Sequence, residues 1–203
     1  MKRIKLFGLA GLFLVLSASK PLKYEVGDAV TDFKLKNFDG KMISLSDYKD
    51  GKGAIVIFDC NTCPYSKAYN DRIIALNKKY APNGFPVITI NAHDPQISPG
   101  DSFEKMVSRA KQKKYDFPYL IDESQSVAKA FGATNTPHVF VLQKAGDGFQ
   151  VAYIGTIDNN SRDASSVTKK YVEDAVDALI TGQDISTKST KAIGCGIKWR
   201  NSN

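Results

Sequence analysis

Apolar residues fall along this chain in short runs of two kinds. Gly53 to Phe58 (GAIVIF) and Phe85 to Asn91 (FPVITIN) are nearly continuous and rich in β-branched residues, the pattern of strands buried on both faces of a sheet. Pro64 to Tyr80 places Ile73, Ile74 and Leu76 on a helical face with no internal Gly or Pro, and predicts a helix with Pro64 in its first turn. After a polar loop over 91–100, Asp101 is expected to cap a helix over Ser102 to Lys114, with Glu104 completing a variant of the capping box. Tyr119 to Ile121 predicts a short strand, and Ser124 to Phe131 a short helix ended by Gly132. His138 to Gln143 and Phe149 to Ile154 flank Ala145-Gly146-Asp147-Gly148, a hairpin signal. Val30 to Lys36 and Lys41 to Leu45 flank Asn37-Phe38-Asp39-Gly40 in the same way. Ser46 to Lys49 reads as one helical turn. Thr168 to Ile180 carries Tyr171, Val172, Ala175, Val176 and Leu179 at helical spacing, and Gly182 closes it. Crossovers early and a hairpin late imply an α/β fold, a central mixed sheet flanked by helices on both faces, with an N-terminal β-hairpin extension.

Composition narrows the class. The chain has 203 residues, 42% of them hydrophobic and 24% charged, which suits one globular domain and excludes a disordered or collagen-like chain. Three cysteines are too few for a disulfide-built scaffold, so an apolar core must hold the fold. With two His as well, a four-ligand zinc site would need nearly all the Cys and His, and a second Cys pair is missing.

Residues 1–19 are set apart. Lys2, Arg3 and Lys5 precede the uncharged run Leu6 to Leu16, and Ser17-Ala18-Ser19 offers small residues for a signal peptidase, so a secretory signal peptide is expected. Eleven helical residues rise about 16 Å, short of a membrane-spanning helix. Expected boundaries are 1–19 for the signal peptide, 20–183 for the domain and 184–203 for a C-terminal tail. The formal charge of 28 − 21 = +7 drops to +4 once the three basic residues of the signal are removed. The remaining Lys residues are scattered, a solvated surface and not a nucleic-acid patch. The mature chain is expected to be secreted or periplasmic, with no membrane attachment after cleavage, in a compartment that permits disulfides.

The chemistry centres on Asp59-Cys60-Asn61-Thr62-Cys63-Pro64, between the buried strand and the helix. Cysteines at i and i+3 at a helix start bring two sulfurs within disulfide reach. The unpaired N–H groups and partial positive charge there stabilise a thiolate, and such settings lower a thiol pKa from about 8.5 to roughly 3.5–7.5. A structural disulfide and metal binding are the competing readings of the spacing alone.

A buried strand, Cys-x-x-Cys-Pro, a long helix and then Thr136-Pro137 ahead of a strand resemble the thioredoxin-like superfamily. The opening Val26-Gly27-Asp28-Ala29-Val30, the block Cys60-Asn61-Thr62-Cys63-Pro64-Tyr65 and the closing Gly194-Cys195-Gly196-Ile197-Lys198-Trp199 resemble its peroxiredoxin-related (AhpC/TSA, redoxin-type) branch. The resemblance covers about residues 24–200 and implies a thioredoxin-like fold and an exported thiol–disulfide oxidoreductase. It implies that Cys60 is the exposed attacking thiol and Cys63 the resolving one. It makes Pro137 a cis-proline facing the pair, and Thr136, Asn61, Thr62 and Pro64 the substrate-binding positions. The substrate would be a protein or small-molecule thiol or disulfide, no dissociable cofactor or metal is needed, and a recycling partner is required.

Asp59 replaces the usual aromatic before the first Cys, and a carboxylate aimed at the sulfur would oppose thiolate formation. Two alternatives stand beside the oxidoreductase. A peroxiredoxin-like thiol peroxidase places a Thr three residues ahead of its Cys and an Arg across the site. With Cys63 as that Cys, Cys60 takes the Thr position, and Arg72 and Arg109 are the available arginines. A thiolate-based copper-binding protein would use both Cys with His138 or His93, since soft thiolates suit Cu(I). Cys195 is the odd thiol, with three readings: inert if buried and free, a resolving partner, or a bond to another chain. Ile197 and Trp199 are expected to anchor the tail.

Overall fold

A computed structural model describes residues 23–200. The expected signal peptide and its cleavage point lie outside them. Ten strands and four α-helices follow in chain order: β1 (Ala29–Val30), β2 (Lys34–Asn37), β3 (Met42–Ser44), β4 (Gly53–Phe58), α1 (Pro64–Tyr80), β5 (Val87–Asn91), α2 (Phe103–Lys113), β6 (Tyr119–Ile121), α3 (Ser126–Phe131), β7 (Asn135–Thr136), β8 (His138–Ala145), β9 (Gly148–Gly155), α4 (Tyr171–Thr181) and β10 (Cys195–Gly196).

The main sheet runs β1-β9-β8-β4-β5-β6-β2-β3. β4, β5 and β6 are parallel, joined by helical crossovers, and the remaining pairs are antiparallel. Every residue of β4 and β5 is buried, which is why both runs read as unbroken apolar sequence. Alternation along β4 splits its side chains between two cores. Ala54, Val56 and Phe58 pack with Phe131, Phe140 and Leu120, while Ile55 and Ile57 pack with Tyr69 and Ile73 of α1 and Val172 and Val176 of α4. α2 covers Tyr119 and Ile121 through Met106 and Ala110. No described helix is long and apolar enough to cross a membrane.

The β2–β3 hairpin sits at one sheet edge, as expected. The run Val30 to Lys36 is not one strand, however. Val30 pairs with Phe149 at the opposite edge, and the chain crosses before β2 begins. Phe33 is buried against Phe131 at that crossing, so its burial holds the break between the strands. Asp101 does not cap α2 through its side chain. Ser102 is the N-cap residue, and the Asp101 carboxylate turns elsewhere. The segment after α4 is not a free polar tail. Lys188 and Thr190 bond to Ile154, β10 pairs with β7, and Ile197 is buried in the core beside Trp199.

Candidate active site

β4 ends at Phe58 and α1 begins at Pro64, so residues 59–63 form the link at the carboxyl end of a parallel strand. Cys63 is the N-cap residue of α1, and Pro64 in its first turn needs no N–H partner. From the other side, β7 brings in Thr136, whose bond to Pro137 is cis. Thr136 touches both sulfurs. Its Oγ1 lies 3.1 Å from Cys60 Sγ, and its carbonyl oxygen accepts from Cys63 Sγ at 3.1 Å. The Cys63 amide also faces Cys60 Sγ, at 3.4 Å. Sequence reasoning thus brings together Cys60, Cys63, Thr136 and Pro137, and the fold does the same.

One expectation is corrected. Cys60 is not exposed: it is 0% accessible and Cys63 2%, both as free thiols. The ionisations of the two are linked. The Cys60 thiol beside it holds Cys63 down to about 4, against burial that pushes it up. The same contact, then burial and the carboxylates of Asp59 and Asp101, push Cys60 well above the ordinary thiol value. Cys63 is therefore the first to lose its proton, giving up its bond to the Thr136 carbonyl, and the Cys60 thiol then donates toward it. The Cys63 amide and Thr136 Oγ1 act the other way on Cys60, ready to receive charge when the proton shifts.

Asp59 points inward, and Arg109 of α2 meets it at 3.3 Å. Burial raises the Asp59 carboxyl, and Arg109 opposes that shift. Arg109 also donates to the Cys60 carbonyl and stands near Ser66 O and Asn70 Oδ1. The other candidate arginine, Arg72, pairs with Asp158 at 2.6 Å.

Asn61 and Thr62 bond inward as well. Asn61 Nδ2 donates to Gly100 O and its Oδ1 accepts from Tyr119 Oη. Asp101 accepts from both amides and from Thr62 Oγ1. Thr62 and Pro64 are the outward-facing residues of the link. The backbone edge of Thr136 is not open either, because β10 pairs along it, Cys195 opposite Thr136.

Of the two histidines, His138 packs on Phe140 and its Nδ1 accepts from the Thr134 amide. His93 is the one beside the sulfurs. Cys60, His93 and Asp101 have donor atoms within 4.8 Å of one another. The His93 side chain is 1% exposed, and its ring nitrogens have no hydrogen-bond partner among the described residues. Burial lowers it, so it is neutral at pH 7. Arg109, His93 and Asp101 were not legible as site residues of an oxidoreductase, since each arrives from a loop or helix far along the chain.

Comparison with known proteins adds four findings. Residues 26–147 match the model of the AhpC/TSA family. The thiol–disulfide oxidoreductase ResA of Bacillus cereus is 29% identical over 135 residues, 65% of this chain and 72% of that protein. Among solved structures, a hypothetical protein from Sinorhizobium meliloti superposes with a TM-score of 0.81 at 33% identity, over 89% of this chain and 97% of its own. An exposed lipoprotein thioredoxin of Streptococcus pneumoniae, at 22% identity, TM-score 0.55 and 75% and 99% coverage, shares the thioredoxin-like fold.

Proposed function

The chain belongs to the AhpC/TSA family, and from that premise we propose that it is an exported thiol–disulfide oxidoreductase working through Cys60 and Cys63. The observation that carries this reading is the meeting of both sulfurs on Thr136, each 3.1 Å from it. Disulfide exchange needs a thiolate at neutral pH and a second thiol in reach. Cys63, lowered to about 4, supplies the charge. A proton shift from Cys60 to Cys63 moves that charge onto Cys60.

In the reducing direction Cys60 Sγ attacks one sulfur of a substrate disulfide. A mixed disulfide forms and the other substrate sulfur leaves with the bonding electron pair. Cys63 then gives up its proton, attacks Cys60 Sγ and releases the second substrate thiol. Two electrons pass to the substrate, and the Cys60–Cys63 disulfide remains for a dithiol partner to reduce. Thr62 and Pro64 form the outward approach. Export rests on the pattern of residues 1–19. The peroxidase alternative is less well supported, since the contacts of Arg109 are to Asp59 and the Cys60 carbonyl.

An insulin-disulfide reduction assay tests the reading. Cys60→Ser should fall to the uncatalysed rate, and full activity in that variant overturns it. One observation favours a second reading. The unpartnered nitrogens of buried His93 beside Cys60 suit Cu(I) as a soft ion bound with the Cys60 thiolate. Stoichiometric Cu(I) retention lost in His93→Ala would favour it, and release of Cu(I) to a weak chelator would remove it.

A further inference from the structure

The third cysteine lies at the same site as the other two. β10 places Cys195 directly opposite Thr136, the residue that touches both Cys60 and Cys63. The approach is close. A Cβ on Gly194 would come within 2.1 Å of the Thr136 carbonyl oxygen, so glycine is required for β10 to lie so near. Thr136 Oγ1 also reaches the Cys195 carbonyl, at 3.5 Å. The Cys195 amide and side chain both act on the Cys63 sulfur, and the Cys195 sulfur faces the Tyr65 amide in the first turn of α1. Cys63 therefore has a thiol on each side of it. Cys195 differs from the pair in one respect: it is half-buried, while Cys60 and Cys63 are closed off.

On the reading that Cys60 and Cys63 form an exchanging pair, we propose that Cys195 is a third redox thiol that carries the disulfide from the buried pair to the surface as a Cys63–Cys195 bond. The Cys195 thiolate attacks Cys63 Sγ of the Cys60–Cys63 disulfide. The S195–S63 bond forms, the S63–S60 bond breaks, and Cys60 leaves with the electron pair and takes up the proton Cys195 released. This is an isomerisation, with no external oxidant. A partner dithiol then attacks the half-exposed Cys195 and reduces the bond, and the partner becomes the disulfide.

The timing is built into the cluster. In the reduced protein, burial and then the neighbouring Cys63 sulfur hold Cys195 up at about 11, so it stays a quiet thiol. Once Cys63 is in a disulfide its charge is gone. Burial still opposes the Cys195 thiolate, while Lys198 and the Tyr65 amide favour it. Oxidation of the pair thus lifts the part of the upward shift that Cys63 imposes on its exit thiol.

The test is disulfide mapping on the full chain. Wild type and Cys60→Ser are treated with diamide, trapped with N-ethylmaleimide in acid, digested without reduction and read by mass spectrometry. The expected result is both Cys60–Cys63 and Cys63–Cys195 peptides in wild type, and a Cys63–Cys195 peptide in Cys60→Ser. If wild type forms Cys60–Cys63 while both thiols of Cys60→Ser stay alkylated, the relay is wrong and the pair's function stands. If wild type leaves Cys60 and Cys63 alkylated, the underlying reading fails as well. Should Cys60→Ser lose its folded circular-dichroism spectrum, the presence or absence of the Cys63–Cys195 peptide in wild type decides.

Discussion

Asp101 caps Asn61, not the helix that follows it in sequence: its Oδ1 accepts the Asn61 amide at 2.5 Å. The same carboxylate accepts from Thr62 Oγ1 and Ser98 Oγ, each at 2.6 Å, and is fully buried. It is the fixed post to which the link between the two cysteines is tied. Asp101→Ala leaves several part-buried donors unpaired and should cost on the order of 2 kcal/mol. Urea unfolding measures it, and a loss below about 0.5 kcal/mol, the range of an ordinary surface change, would contradict the role.

Arg109 and Asp59 form the second support, behind Cys60. Removing one member of a buried pair strands the other, at a cost of about 3–5 kcal/mol. Arg109→Met should therefore destabilise strongly. Adding Asp59→Asn to that variant should restore part of the loss, because the stranded carboxylate is then neutral. Chemical denaturation of both variants checks this, and simple additivity would show that the pair is not coupled.

The Cys63 thiol makes stability depend on redox state and pH. Its folded value is lowered to about 4 from an ordinary 9. The reduced folded chain has lost this proton where the unfolded chain still holds it, so the contribution is full above pH 9 and disappears as pH falls toward 4. Unfolding midpoints of the reduced protein should rise with pH across that window, relative to Cys63→Ala. Thiolate absorbance near 240 nm should titrate with a midpoint near 4, and a midpoint near 9 would contradict it.

Gly194 sets how close β10 comes to Thr136. Gly194→Ala should lift the strand and weaken the bond from the Ile197 amide to Thr134 O. Faster alkylation of Cys195 and faster amide exchange at Ile197 are expected. Wild-type rates for both would mean that the close approach does not hold the strand.

The sequence pattern delivers the parts of this site whose signals are local. Gly53–Phe58 and Pro64–Tyr80 fall on their observed limits because each is a contiguous run with one period. Cys60, Cys63, Thr136 and Pro137 were legible as motifs. What escapes local reading is placement. Asp101 has the composition of a helix cap, yet its carboxylate lies among the amides of a loop 40 residues earlier. His138 follows Pro137 and so reads as the histidine near the sulfurs, yet it packs on Phe140, and His93 from a distant loop stands beside Cys60. The segment after Gly182 reads as a polar tail anchored by Ile197 and Trp199, as it is, but the strand pairing at Cys195 carries no period to announce it.

The pairing of β7 with β10 has a consequence for the chain before it is folded. Thr136 is 76 residues from Cys60, and Cys195 is 59 further on, so this corner forms through contacts of long range, which are established slowly. Until β4, α1 and β7 come together, Cys60 and Cys63 are not held against each other or against Thr136, and each thiol keeps an ordinary value of about 8.5. A nascent chain is for this reason chemically quiet. It carries little thiolate with which to crosslink the crowd around it, and its nucleophile is switched on by the completion of its own fold.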